Sequence, residues 1–169
     1  MHHFRQAALV GIFGLASALA GCGDSGGGST SKASDARGVI VSASDCVSFG
    51  ADAVQACSAA IERAVASHEA SSASYSNIEA CEGAVGLNQC ERSASGKYRA
   101  RLSAFMVTVG GDQARAEPLY PVKDGGVGFQ TASASKLMAT DRSVTFSRLA
   151  LSVAESQASS GKKGKGKLY

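Results

Sequence analysis

Apolar and polar positions change their spacing several times along this chain, and each change predicts an element. Residues 7–20 form a nearly unbroken run of small and apolar side chains. Residues 23–37 offer almost nothing to bury, so they are expected to be a disordered tether. Gly38-Val39-Ile40-Val41 is a short β-branched run that predicts a first strand. Over residues 51–70, Val54, Cys57, Ile61, Val65 and His68 recur at the spacing of one helical face, with Asp52 and Gln55 placed to cap its start. Ser76-Asn77-Ile78-Glu79 is a capping box that opens a second helix. That helix carries Ile78, Cys81 and Val85 on one side and stops at Gly86. With only Ser71-Ser72-Ala73-Ser74 between them, the two helices predict an antiparallel hairpin with a cysteine on each buried side.

Beyond Cys90 the pattern turns extended. Residues 98–109, with Leu102, Phe105, Met106, Val107 and Val109, predict one well-buried strand ended by Gly110-Gly111. Pro118 and Pro121 keep Leu119 and Tyr120 out of any helix interior. Residues 127–131 and 144–153 are further strand candidates, although residues 147–156 also fit a helix. Gly125-Gly126-Val127-Gly128 reads as a turn, since no helix start follows that would make it a phosphate loop. The glycine-broken lysines of 161–167 predict a basic, disordered tail. The fold class expected is α+β, a small disulfide-braced helical hairpin packed on a short antiparallel sheet. Its organisation is a leader over 1–21, a tether over 22–37, one domain over 38–157 whose cysteine-rich hairpin occupies 45–91, and a tail over 158–169.

Cysteine usage adds a compartment to this picture. Arg5 precedes the apolar run of residues 7–20, which is too short for a comfortable permanent span and ends in Leu19-Ala20-Gly21-Cys22. That tetrad resembles the lipobox of bacterial lipoproteins. The resemblance implies cleavage before Cys22, a thioether-linked diacylglycerol on its sulfur and an N-acyl chain such as palmitate on its amine. Gly23, standing where aspartate would favour inner-membrane retention, points to the outer membrane. An ordinary secretory signal with a coincidental cysteine, or an uncleaved N-terminal anchor, is the competing reading.

Cys46, Cys57, Cys81 and Cys90 are then an even set in an oxidising compartment and predict two disulfides. A hairpin symmetric about its linker favours Cys57–Cys90 with Cys46–Cys81, and the local pairs Cys46–Cys57 and Cys81–Cys90 stand close behind. The wide cysteine spacings lack the close pair of a four-cysteine zinc site. Aromatic residues make up only 6% of the chain and tryptophan is absent, so a modest core gains from cross-links.

The formal net charge of +3 is unevenly spread. Residues 45–91 hold Arg63 alone against Asp45, Asp52, Glu62, Glu69, Glu79, Glu82 and Glu91, while basic side chains predominate over 92–161. The two stretches are expected to attract each other or to face solvent separately.

The segment 45–90 resembles the YgiB-like family of uncharacterised bacterial lipoproteins. Asp45-Cys46, Cys57, Cys81-Glu82 and Cys90 carry the resemblance through their spacing, with Ala60, Ala64, His68 and Tyr75 between them. Tyr98, Leu102 to Met106 and Glu117-Pro118-Leu119-Tyr120 extend it downstream. It departs at Ser74, where the family pattern has proline, and is not followed beyond about residue 135. It implies an exported, lipid-anchored, disulfide-bearing protein without an assigned activity.

Once the leader is removed, His68 is the only imidazole, and it is expected to cap or pack a helix end. GxSxG, HExxH and phosphate-loop sequences are absent. Glu79 and Glu82 suit a helix start better than an acid–base pair. The expectation is a non-catalytic interaction or structural module, anchored in the outer membrane of a Gram-negative envelope and facing the periplasm. It would carry no cofactor beyond the acyl groups on Cys22, bind no nucleic acid, and contact another envelope protein or peptidoglycan. The alternative is a thiol-disulfide protein using a cysteine pair, or a ligand- or metal-responsive one using His68.

Overall fold

A computed structural model of the chain describes residues 35–110 and 113–163. The proposed lipidation residue Cys22, the leader and most of the tether lie outside the described residues. The chain begins with strand β1 (Ala36–Ile40), passes through two 3-10 turns (Ala43–Phe49 and Ala51–Ala53) and enters helix α1 (Val54–Ser71). Helix α2 (Ile78–Val85) is followed by the short strands β2 (Cys90–Arg92) and β3 (Tyr98–Ala100). Next come β4 (Ala104–Gly110), β5 (Gln113–Pro121), β6 (Gly128–Gln130), β7 (Lys136–Met138), β8 (Thr145–Phe146) and helix α3 (Arg148–Lys163). Six strands form one sheet in the order β7-β6-β5-β4-β1-β8, and β2 with β3 forms a separate two-stranded ribbon.

Both faces of the central strands are buried, which explains the unbroken apolar run in β4. Phe105, Val107 and Val109 pack with Cys57, Ala60, Ile61 and Ala64 of α1. The alternate residues Ala104 and Met106 face the other way, into a cluster with Leu119, Phe129, Ala150 and Ala154. A strand covered on one face alternates in polarity; one covered on both does not. Helix α3 lies on the second face against β6, β1 and β8, presenting the buried stripe Ala150, Ala154 and Ala158. Alanine at every fourth position lets the helix approach the sheet closely.

Several expectations are corrected. The mixed α+β class stands, but the sheet is larger and includes a parallel pair, β1 with β8. The two helices do not form a hairpin: α1 packs on β5 and β4, and α2 on β3 and β2. Tyr75 causes the divergence, because its N–H donates to Tyr98 O (2.8 Å) and its carbonyl accepts from Tyr98 N–H (2.9 Å), drawing the linker onto the ribbon. Without a hairpin the cross-helix cysteine pairing has no basis, and the disulfides are the local Cys46–Cys57 and Cys81–Cys90. The single strand expected over 98–109 is two strands belonging to different sheets.

At the α1 start, Asp52 and Gln55 make no cap, since a 3-10 turn leads directly into the helix with Ala53 at the N-cap. For α2 the cap is Asn77, one residue later than expected, its Oδ1 accepting from Ala80 N–H at 2.8 Å. Gly86 ends α2 as expected, with φ +120.

Of the two readings of residues 147–156, the helix prevails. Ser147 accepts from Ala150 N–H (3.1 Å) and donates to Asp45 Oδ2 (3.0 Å), which also accepts from Val41 N–H (3.0 Å). One carboxylate thus fixes the end of β1, the first 3-10 turn and the start of α3. The fold reaches past 38–157 at both ends: β1 starts at Ala36, and α3 runs to Lys163 with Ala158 buried, taking in part of the segment expected to be a tail.

Candidate functional site: a buried histidine behind a cleft

His68 stands in the last turn of α1, on the same side as Cys57, Ile61 and Ala64, so the helical period that builds the core also buries it, to 3% exposure. Its Nδ1 lies 2.9 Å from the Oη of Tyr120 on β5, and the rings are tilted by 47°. On the other side, Nε2 is 3.7 Å from Glu91 Oε1, too far for a hydrogen bond, and has no hydrogen-bond partner among the described residues. Glu91 is held instead by Arg99, its cross-strand neighbour in the β2–β3 ribbon, whose Nε donates to Oε1 at 2.8 Å. Arg99 also reaches Glu69 at 3.8 Å.

Burial lowers the His68 pKa below its usual 6.5, the Arg99 cation pushes in the same direction, and Glu91 opposes both. Burial likewise raises the Tyr120 phenol. The neutral ring with its proton on Nε2, facing the Glu91 carboxylate, and with Nδ1 accepting from the Tyr120 hydroxyl sets donors against acceptors throughout. Hydroxyl, imidazole and carboxylate stand in the order used by hydrolytic triads, yet the phenol is held in its neutral form rather than activated.

This burial has a measurable consequence. The unfolded chain takes up a proton near pH 6.5 that the folded chain refuses until lower pH, so stability is full above that value and falls as pH drops below it. His68→Gln keeps a partner for Tyr120 and removes the titration. Thermal midpoints recorded from pH 7.5 to 5 are expected to fall more steeply for the wild type than for the variant; parallel curves would contradict the assignment.

In front of Tyr120 opens a cleft of about 560 Å³, within the range of small-ligand sites. Its walls come from the α1–α2 linker (Ala73, Tyr75), the end of α2 (Ala84, Val85), β3 (Ala100) and the β6–β7 hairpin (Gln130, Thr131, Lys136). Two ties hold these walls in place: Lys123 Nζ donates to Ala84 O at 2.9 Å, and Gln89 Nε2 donates to Val122 O at 3.2 Å. The Gln89 amide lies against Gly86, where a Cβ would stand 2.8 Å from Oε1 and displace that amide, and the positive φ of this position favours glycine. The Cys81–Cys90 disulfide closes the segment that carries Ala84, Val85 and Gln89.

Of the residues singled out from sequence, Cys46, Cys57, Cys81 and Cys90 are all disulfide-bonded and His68 belongs to this site. Glu82 accepts from Asn88 N–H at 2.9 Å, a helix-end role. Tyr120, Glu91 and Arg99 were missed as site residues. Glu91 and Arg99 could have been found as opposite charges facing each other across the Gly96 turn. Among the described residues no three His, Cys, Asp or Glu side chains converge to hold a metal ion, and no helix is long and apolar enough to cross a membrane.

No curated protein and no solved structure matches the chain. The model of one family, described as proteins of unknown function (DUF1190), matches residues 34–166, from the start of the described fold through the whole of α3 and well past residue 135. The chain belongs to that DUF1190 family.

Proposed function

We propose that this protein is a lipid-anchored binding module of the bacterial cell envelope, of the YgiB-like lipoprotein kind, held in the outer membrane through Cys22 and facing the periplasm. It works without catalysis, presenting the cleft in front of Tyr120 to an envelope partner. The observation that carries this reading is the complete pairing of Cys46, Cys57, Cys81 and Cys90 in the interior. Reducing compartments do not sustain such pairs, and of the five cysteines Cys22 alone stands outside the two disulfides, in the lipobox position. All four paired residues are at most 5% exposed, which favours a bracing role over thiol exchange. Each acyl methylene buried in the bilayer contributes about 0.8 kcal/mol, so several chains hold such a protein almost permanently.

Cys22→Ala tests the anchor. The wild-type protein is expected to incorporate labelled palmitate and partition into the detergent phase, and the variant to do neither. An unlabelled, water-soluble wild-type protein would overturn the proposal.

A further inference from the structure

We infer that His68 is a proton-operated switch that reverses the hydrogen bond it shares with Tyr120, a residue of the cleft wall. This rests on the reading of that cleft as the binding site and names its regulation. In the neutral ring Nδ1 accepts the Tyr120 proton across 2.9 Å, so the phenol has only lone pairs left to offer. A second proton on the imidazole goes to Nδ1, because Nε2 already carries the first. Nδ1 then donates, Oη accepts, and the phenolic proton turns away from the ring. Among the described residues Oη has no hydrogen-bond partner besides His68, so that proton is left for whatever occupies the cleft, water or ligand. Acidification thereby exchanges an acceptor for a donor at the wall with no change in the course of the backbone.

The surroundings equip the fold to hold the charged ring. Its side chain is 1% exposed and faces Glu69 on its own helix α1, Glu91 on β2, Arg99 on β3 and Tyr120 on β5. Two carboxylates against one guanidinium leave a negative surplus, so the imidazolium brings the group to neutrality. Glu91 Oε1 stands 3.7 Å from Nε2, one short side-chain displacement from hydrogen-bond distance. Arg99 is bonded to Glu91 at 2.8 Å and lies 3.8 Å from Glu69, so it retains a carboxylate when Glu91 turns toward His68. Burial and the arginine cation set the exchange on the acid side of 6.5.

The test uses the full chain purified from envelopes in detergent, with its intact mass recorded on the same sample, so that failure of the envelope reading is seen separately. Two signals are followed from pH 7.5 down to the onset of unfolding: the imidazole nitrogen resonances, and the tyrosine Raman doublet, whose intensity ratio separates a phenol that donates from one that accepts. His68→Gln assigns the resonances and Tyr120→Phe assigns the Raman contribution. At pH 7.5 Nδ1 is expected to be unprotonated and Tyr120 to be a donor. Through the His68 titration Nδ1 should gain its proton and the Tyr120 ratio should shift to that of an acceptor, with the same midpoint. His68→Gln should show no such shift, and its difference from the wild type decides the question should Tyr120→Phe fold poorly. A proton on Nδ1 at pH 7.5, a Tyr120 ratio that stays constant while His68 titrates, or a ring that stays neutral until the chain unfolds would overturn the inference.

Discussion

Phe129→Ala is expected to lower the unfolding free energy by about 3–5 kcal/mol, the usual range for deleting a buried phenylalanine. Phe129 is completely buried on β6, stacks on Phe146 with ring centroids 6.0 Å apart, and shares a cluster with Leu119, Met106, Val39, Ala150 and Ala154. Its helix-side neighbours are alanines on a regular α3, which have no side-chain freedom to refill the space. The cost should therefore fall in the upper half of that range. For a domain whose total stability is of the order of 5–15 kcal/mol, this removes a large share. Equilibrium denaturant unfolding measures it, and a loss below about 1 kcal/mol would contradict the packing of α3 on this face.

Replacing Cys46 and Cys57 together by alanine is expected to cost about 3 kcal/mol. The disulfide closes a loop between residues 11 apart, for which loop-closure entropy alone gives roughly that value. Both residues are wholly buried against Phe105, Val107 and Ile61. The bond ties the 3-10 turn to α1, and Cys46 is the only buried residue of that turn. The turn also carries Asp45, so loosening it is expected to weaken the link between β1 and the start of α3. Cys81–Cys90 should remain closed in the variant, as thiol counting will report. A change under about 1 kcal/mol would show that the turn is held by other contacts.

Helices α1 and α2 and the burial of His68 were legible in the sequence because a 3.6-residue period leaves a mark on any surface helix, whereas α3 was left open between strand and helix. The cysteine pairing was not, because it depended on where the chain turns after Ser71. That turn is set by a main-chain pairing of Tyr75 with Tyr98, which leaves no trace in side-chain pattern. The break between β3 and β4 was hidden for a related reason: Leu102 continues the apolar run across the join, although it packs beside the α1-side cluster rather than within a strand. Strand β5 was obscured by its prolines. Pro118 is tolerated because it lies in the part of β5 paired with β4 alone, β6 reaching only Tyr120 and Pro121. The site was half legible. His68 stood out as the lone imidazole, but Tyr120 and Glu91 come from elements distant in sequence, and only the packing of α1 across β5 and the folding back of the ribbon bring them to it.

The most direct test of the account is the intact mass of protein extracted in detergent from native envelopes. The expected product is a chain that begins at Cys22, carries a diacylglycerol and an N-acyl increment, and lacks the four hydrogens lost in two disulfides. A chain that still begins at Met1, or one with no acyl increment on its first residue, would contradict it.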